Sequence, residues 1–263
     1  MKVVLFCGGL GTRIRDYSES VPKPMIPVGH QPILWHVMQY YTHYGHRDFI
    51  LCLGYKASVV KDYFLNYRPT ATRDFVISDY GQKVELLGEA EDDWRATLID
   101  TGIWRNVGSR LYSVRHLVQD EEIFCCNYSD GLTDAPLPAM LDFFVASGKT
   151  ACFLAVQPNF SYHLVDFDES GRVTGLNTSN QSEIWINGGY FIFRREIFDY
   201  MNDGEELVVE PFGRLIEAGE LVAYRHRGFW ASMDTLRDKQ LLEDMHERGS
   251  TPWLPWLERA RPS

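Results

Sequence analysis

Two rhythms of apolar residues divide the chain. Residues 2–7 are a short apolar run that reads as a buried strand. Ile33, Leu34, Val37, Met38 and Tyr41 instead recur at helical spacing, begin behind Pro32 and stop at Gly45. Residues 48–53 (DFILCL) make a second buried strand, and Val59, Val60, Tyr63, Phe64 and Tyr67 form the apolar stripe of a second helix. Strand, helix, strand, helix with short connections predicts a parallel sheet covered on both faces.

The middle of the chain is less regular. Residues 74–78 read as a strand, 82–93 as a loop or hairpin, and 97–102 as a short strand entering a turn. A helix is expected over 110–117, a strand over 122–128 and a helix over about 137–146. From residue 150 strands dominate, at 150–156, 162–168, 173–176 and 185–193. A helix at 210–218, a strand at 221–224 and a helix at 235–246 follow. No linker, repeat or low-complexity segment interrupts this pattern. Residues 252–257 (PWLPWL) are too rich in proline for regular structure, and Trp253 and Trp256 are expected to dock on a surface at a subunit contact.

The first polar interruption carries the densest chemistry. The opening strand runs into Gly8-Gly9-Leu10-Gly11-Thr12-Arg13, and Pro22-Lys23-Pro24-Met25 follows. Three glycines in four positions allow close backbone approach to a ligand, and consecutive N–H groups in such a turn converge on an anion. Arg13 and Lys23 add a bidentate and a point-charge partner for phosphate. Prolines on both sides of Lys23 stiffen the chain around it, so less entropy is lost when its ammonium is aimed. A purely structural turn does not account for Arg13 and Lys23. The loop also lacks the third glycine of the dinucleotide fingerprint, where Ile14 stands, and the lysine of a P-loop. A nucleoside triphosphate is the expected ligand.

Two aspartates stand after apolar segments. Asp130 follows the strand at 122–128, and Asp234 follows residues 228–233 (GFWASM). A carboxylate at the carboxyl end of a parallel strand faces the crevice where open α/β sheets bind ligands. Two of them beside a triphosphate supply the hard oxygen ligands that Mg2+ takes. The alternative for Asp234 is a plain helix N-cap, because a helix starts directly behind it.

Composition narrows the class. Of 263 residues 45% are hydrophobic and 24% charged, which fits an ordinary globule with a substantial core. A formal charge of −10 excludes broad nucleic-acid binding, yet leaves room for a polyanionic ligand in a locally basic cleft. There is no leader-like segment and no apolar run of bilayer length, so no membrane role is expected. The five cysteines fall in apolar runs without C-x-x-C spacing, which suits buried thiols in a reducing, cytoplasmic compartment. The eight histidines show no metal-ligand spacing and read as surface or capping residues.

These residues resemble the sugar-1-phosphate nucleotidyltransferases, most of all their glucose-1-phosphate cytidylyltransferase branch. The resemblance rests on residues 8–13, 22–25, Pro32-Ile33-Leu34-Trp35-His36, Gly54-Tyr55-Lys56 and Asp100-Thr101-Gly102. It continues through Gly108-Ser109-Arg110-Leu111, Ser129-Asp130-Gly131, Ile186-Asn187-Gly188-Gly189, Gly228-Phe229-Trp230 and Met233-Asp234-Thr235-Leu236-Arg237-Asp238. It implies a Rossmann-like three-layer α/β fold with a mostly parallel mixed sheet and a β-rich acceptor-binding half. That fold would be a single domain over 1–263, with a nucleotide-binding part at about 1–130 and an acceptor-binding part at about 131–263. It also implies Mg2+-dependent attack of a sugar phosphate on the α-phosphorus of a nucleoside triphosphate, taken as CTP, with release of pyrophosphate. By position, Gly8, Gly9, Leu10, Gly11 and Thr12 would hold the nucleotide and Arg13 its outer phosphates. Lys23 would neutralise charge at the transferring phosphoryl, Asp130 and Asp234 would hold Mg2+, and Arg110 would contact the base. Thr178, Ser179, Asn187 and Gly188 would face the acceptor, and the protein would form a homo-oligomer.

Departures from the family pattern cluster on the acceptor side. A Glu-Lys-Pro segment is replaced by Thr178-Ser179-Asn180, and residues 158–166 diverge. Ser109 stands in place of a glycine, and Val21 in place of a lysine. The same cytidylyl transfer to a different phosphorylated acceptor therefore stays open. So does a non-catalytic nucleotide-sugar sensor, although the retained Lys23, Asp130 and Asp234 speak against it. A dinucleotide-dependent oxidoreductase lacks its fingerprint.

Overall fold

A computed structural model describes residues 1–9, 21–71, 74–87, 93–158, 163–178 and 184–254. The opening apolar run is β1 (Lys2–Phe6). A 3-10 turn at Lys23–Met25 leads to the short pair β2 (Pro27–Val28) and β3 (Gln31–Pro32), and then to α1 (Ile33–His43). Next come β4 (Asp48–Leu53), α2 (Ala57–Leu65), β5 (Phe75–Ser78), β6 (Lys83–Leu86), β7 (Arg95–Asp100) and α3 (Val107–Ser113). The chain continues through β8 (Ile123–Asn127), β9 (Gly131–Thr133), α4 (Leu137–Ser147), β10 (Ala151–Val156), β11 (His163–Phe167) and β12 (Val173–Thr178). It closes with β13 (Ile186–Arg194), α5 (Glu210–Glu217), β14 (Leu221–His226), β15 (Trp230–Ser232) and α6 (Leu236–Glu247).

Seven strands form one sheet in the order β14-β10-β13-β8-β1-β4-β7. All run parallel except β13, which is antiparallel to both β10 and β8. The alternation of β1 shows how the faces are built. Val3 and Leu5 join a core under α1, α2, α4 and α6, while Val4 and Phe6 join a second core under α3 and α5. The expected mostly parallel, doubly covered sheet is present, and strands from both halves of the chain lie in it side by side.

The segment read as a loop or hairpin at 82–93 contributes β6, which pairs antiparallel with β5 as an exposed hairpin. Other local details differ from the sequence reading for identifiable reasons. The helix expected at 110–117 starts earlier, at Val107, because the Asn106 side chain caps it by accepting from the Ser109 N–H; beyond Ser113 only a 3-10 turn remains. Gly108 hid that start. A Cβ there would come 2.2 Å from the Glu205 carbonyl oxygen, so close packing demands glycine despite its helix penalty. Trp253 docks inside its own chain: it is 1% exposed, packs on Phe229 and donates its Nε1–H to His36 Nδ1 at 3.2 Å. Trp256 lies outside the described residues. His36 itself is a core residue rather than a surface one. With Nδ1 accepting from Trp253, Nε2 carries the proton and donates to the Val28 carbonyl at 2.9 Å. Among the described residues no helix is long and apolar enough to cross a membrane.

Candidate functional site

Asp130 is placed by a strained turn. After β8 the chain passes through Ser129, which is fully buried with φ 63, a left-handed conformation that costs free energy for a residue with a Cβ. Two bonds hold it there: its N–H donates to Asn127 Oδ1 at 2.7 Å and its hydroxyl to the Phe6 carbonyl at 2.7 Å. The turn redirects the chain from β8 into β9, which pairs antiparallel with β15, Gly131 opposite Ser232. The Met233 N–H then donates to the Asp130 carbonyl at 2.9 Å. This ribbon brings Asp130 and Asp234 together. Asp234 therefore follows a short antiparallel strand outside the main sheet, not the end of a parallel one.

The helix cap behind Asp234 is a different residue. Thr235 is the N-cap of α6, and Asp238 completes a reciprocal capping box with it. The Asp234 carboxylate is directed elsewhere: Oδ1 accepts from Lys23 Nζ at 2.8 Å and Oδ2 from the Ser232 hydroxyl at 3.0 Å. Lys23 also donates to Asp130 Oδ2 at 2.6 Å. The lysine opens the 3-10 turn between Pro22 and Pro24, as its stiff flanks predict. Burial works against its charged form, but the two carboxylates outweigh that cost, and the pKa lies above the ordinary lysine value. Two aspartates sharing one ammonium make a position built for positive charge.

The glycines of the first loop divide by role. At Gly8 a Cβ would stand 2.0 Å from the Arg110 guanidinium, whereas at Gly9 it would meet nothing within 4 Å. Among the described residues nothing crowds Gly9, and Gly8 is small because of its protein neighbour. Arg110 is 3% exposed and spends all four terminal N–H groups on the fold. Nη1 donates to the Leu53 carbonyl at 2.9 Å and Thr101 Oγ1 at 2.7 Å, and Nη2 to the carbonyls of Gly8 at 2.9 Å and Ile103 at 3.3 Å. It ties the ends of β1, β4 and β7 together, which leaves only Nε for the base contact expected from the sequence. Leu10, Gly11, Thr12, Arg13 and Ser179 lie outside the described residues.

On the acceptor side, Thr178 ends β12 opposite His163. Asn187 donates from Nδ2 to the Tyr128 hydroxyl at 3.5 Å and accepts from the Gly189 N–H at 2.9 Å. The Gly188 carbonyl accepts from Trp230 Nε1 at 2.8 Å, which joins β13 to the carboxylate-bearing ribbon. The departures at Ser109 and Val21 turn out to serve packing. Ser109 Oγ accepts from the Gly204 N–H at 3.1 Å, and Val21 rests against the apolar core. Sequence reasoning missed Ser129 and Trp230, whose roles depend on pairings between distant segments. It also missed the pairing of His226 Nε2 with Asp134 Oδ1 at 2.6 Å.

Among the described residues no third His, Cys, Asp or Glu joins the two aspartates. Their oxygens still fit a small hard cation that keeps water or phosphate oxygens as its other ligands, and Lys23 already shows that they accept a positive charge between them.

A doubly covered sheet with a glycine loop after β1 and a lysine–carboxylate cluster beyond the neighbouring β8 defines a nucleotide-processing enzyme. The chain belongs to the nucleotidyl transferase family, whose sequence profile matches residues 2–238. It is 39% identical over 258 residues to the glucose-1-phosphate cytidylyltransferase of Salmonella typhi, across 97% of this chain and 100% of that relative. The same identity and coverage hold for the glucose-1-phosphate cytidylyltransferase of Salmonella typhimurium. In fold it is similar to HddC from Yersinia pseudotuberculosis, with a TM-score of 0.69 and 18% identity over 93% of this chain and 99% of that one. A UDP-glucose pyrophosphorylase complexed with UDP-glucose gives 0.68 and 13% over 94% and 98%. Members of the family typically use a divalent metal.

Proposed function

We propose that this enzyme transfers a cytidylyl group from CTP to a sugar 1-phosphate such as glucose 1-phosphate, releasing pyrophosphate and forming a CDP-sugar. The observation that carries the reading is Lys23 joined to both Asp130 and Asp234, in a chain similar over its length to glucose-1-phosphate cytidylyltransferases. An oxygen of the acceptor phosphate bonds to the α-phosphorus of CTP, and the bond from that phosphorus to the bridging oxygen breaks. The electron pair leaves with pyrophosphate. The attacking phosphate is already an anion, so no general base is needed, and catalysis is positioning plus charge neutralisation.

Each part of the site has a task in this scheme. The loop that begins at Gly8 and Gly9 and includes Leu10, Gly11, Thr12 and Arg13 in sequence receives the triphosphate. Lys23 offsets charge on the α-phosphoryl, and Arg110 keeps the carbonyl of Gly8, and with it the start of the loop, in place. Asp130 and Asp234 would hold Mg2+, which supplies Lewis-acid stabilisation of phosphate charge. Asn187 and Gly188, with Thr178 and Ser179, border the acceptor, and a homo-oligomer in a cytoplasmic setting completes the proposal.

The test is a matrix of nucleoside triphosphates against sugar phosphates, read by pyrophosphate release. CTP with a sugar 1-phosphate is expected to give sustained release. No release with any pair would sink the reading.

A further inference from the structure

The carboxyl ends of β10 and β14 carry two arginines that the transfer scheme leaves unused. β10 lies between β14 and β13, and the register sets Ala155 opposite Arg225 on one side and Asn187 on the other. Partners in register present their side chains on one face of a sheet. Arg225, Ala155 and Asn187 therefore form a row across three strands, with a methyl group at its centre. One step further along, Arg227 Nη1 donates to Gln157 Oε1 at 3.3 Å. The guanidinium carbons of Arg225 and Arg227 lie 5.9 and 5.1 Å from the Trp185 ring centroid. Both side chains thus reach across β10 to the start of β13, two residues from Asn187.

The local charge is unusual for this chain. Arg225 and Arg227 are both exposed, and among the described residues no carboxylate pairs with either, in a protein of net charge −10. Resting on the indole occupies the face of a guanidinium and leaves its in-plane N–H groups for an anion. Distance from the reacting centre decides what that anion is. Gly188 sits beside the ribbon: a Cβ on Gly131, the residue after Asp130, would stand 3.7 Å from the Gly188 carbonyl oxygen. Trp185 is three residues upstream of Gly188, roughly 10 Å away along an extended strand. A phosphate undergoing transfer beside Asp130 does not span that distance, but the far end of a hexose phosphate does.

We infer that Arg225 and Arg227, braced on Trp185, bind a second anionic group at the distal end of the acceptor. The substrate class is then a sugar phosphate that carries a carboxylate or a further phosphate away from its reacting end. This rests on the transfer reading above and adds a specificity determinant to it.

The experiment compares kcat/KM for glucose 1-phosphate, glucuronic acid 1-phosphate and glucose 1,6-bisphosphate with CTP and Mg2+, in the wild type and in a variant carrying R225Q and R227Q. The wild type is expected to prefer one of the two acceptors with a second anionic group over glucose 1-phosphate by about 10-fold or more, the worth of a charge-assisted contact. The winner identifies the distal group as carboxylate or phosphate, and the double substitution removes the preference, mainly through KM. Equal or better use of glucose 1-phosphate by the wild type overturns the inference, as does a preference that survives both substitutions. Calorimetric titration with glucose 1,6-bisphosphate separates this failure from that of the transfer reading. A loss of about 10-fold in affinity in the double variant supports the arginine site even where no pyrophosphate is released, and unchanged affinity counts against it.

Discussion

Replacing Arg110 by methionine tests whether this residue serves the fold or the nucleotide base. The substitution keeps an unbranched stem and deletes a guanidinium that is 3% exposed and makes four hydrogen bonds. The acceptors do not suffer equally. The Leu53 carbonyl still receives the Thr101 hydroxyl at 2.7 Å and the Thr101 N–H at 3.0 Å, so it stays paired. Among the described residues the Gly8 carbonyl keeps only a long contact of 3.4 Å from the Tyr55 N–H, and the Ile103 carbonyl loses its guanidinium donor. Two poorly compensated charge-assisted bonds, less the relief of no longer burying a cation, come to a loss of about 2–4 kcal/mol. Urea denaturation of R110M should show this as a lower midpoint at unchanged slope. The KM for CTP should rise as well, because the start of the loop is no longer held. A loss below about 1 kcal/mol, combined with a raised KM for CTP alone, would refute the structural role and restore the base contact.

The other predictions concern the cation cluster and the buried C-terminal segment. K23M leaves without their ammonium two carboxylates that had bonded it at 2.6 and 2.8 Å, and like charges roughly 5 Å apart repel by about 3 kcal/mol at an effective dielectric near 20. The nucleotide-free protein should therefore bind Mn2+ more tightly in calorimetry, while transfer falls by about 100-fold or more; weaker Mn2+ binding would contradict this. Burial pushes the His36 pKa down to about 4, opposed by its bond to Val28. The unfolded chain, with a histidine pKa near 6.5, binds the extra proton between these values. Stability should therefore fall as pH drops from about 6.5 towards 4, by up to about 3 kcal/mol. H36Q retains a donor for Val28 and an acceptor for Trp253, and should flatten that limb in denaturation curves at pH 7, 5.5 and 4.5; an unchanged slope would assign it to other groups. W253A should cost about 3–5 kcal/mol without changing the sedimenting mass, whereas a change of mass at unaltered stability would return Trp253 to a subunit interface.

Much of the fold was legible along the chain because its determinants are local. The stripe from Ile33 to Tyr41 buries one helix face, and Gly45, at φ 83, stands where the pattern ends. Prolines around Lys23 announced an aimed side chain, and β8 running into Ser129-Asp130 announced a crevice carboxylate. Where the reading slipped, a non-local contact had overruled a local preference: Gly108 sits inside a helix because the Glu205 carbonyl packs against it.

Periods and spacings within a few residues therefore sufficed for the order of the main-sheet strands and the helices, for the glycine loop and for the residue types of a phosphate-handling site. Only the tertiary structure decided the reversal of β13 and the convergence of Lys23 on Asp130 and Asp234, which lie 107 and 211 residues away along the chain. It also decided that Gly8 yields its space to Arg110. Strand pairing and ion pairing join segments whose separation leaves no periodic trace, so they become readable only when the sheet closes the distance.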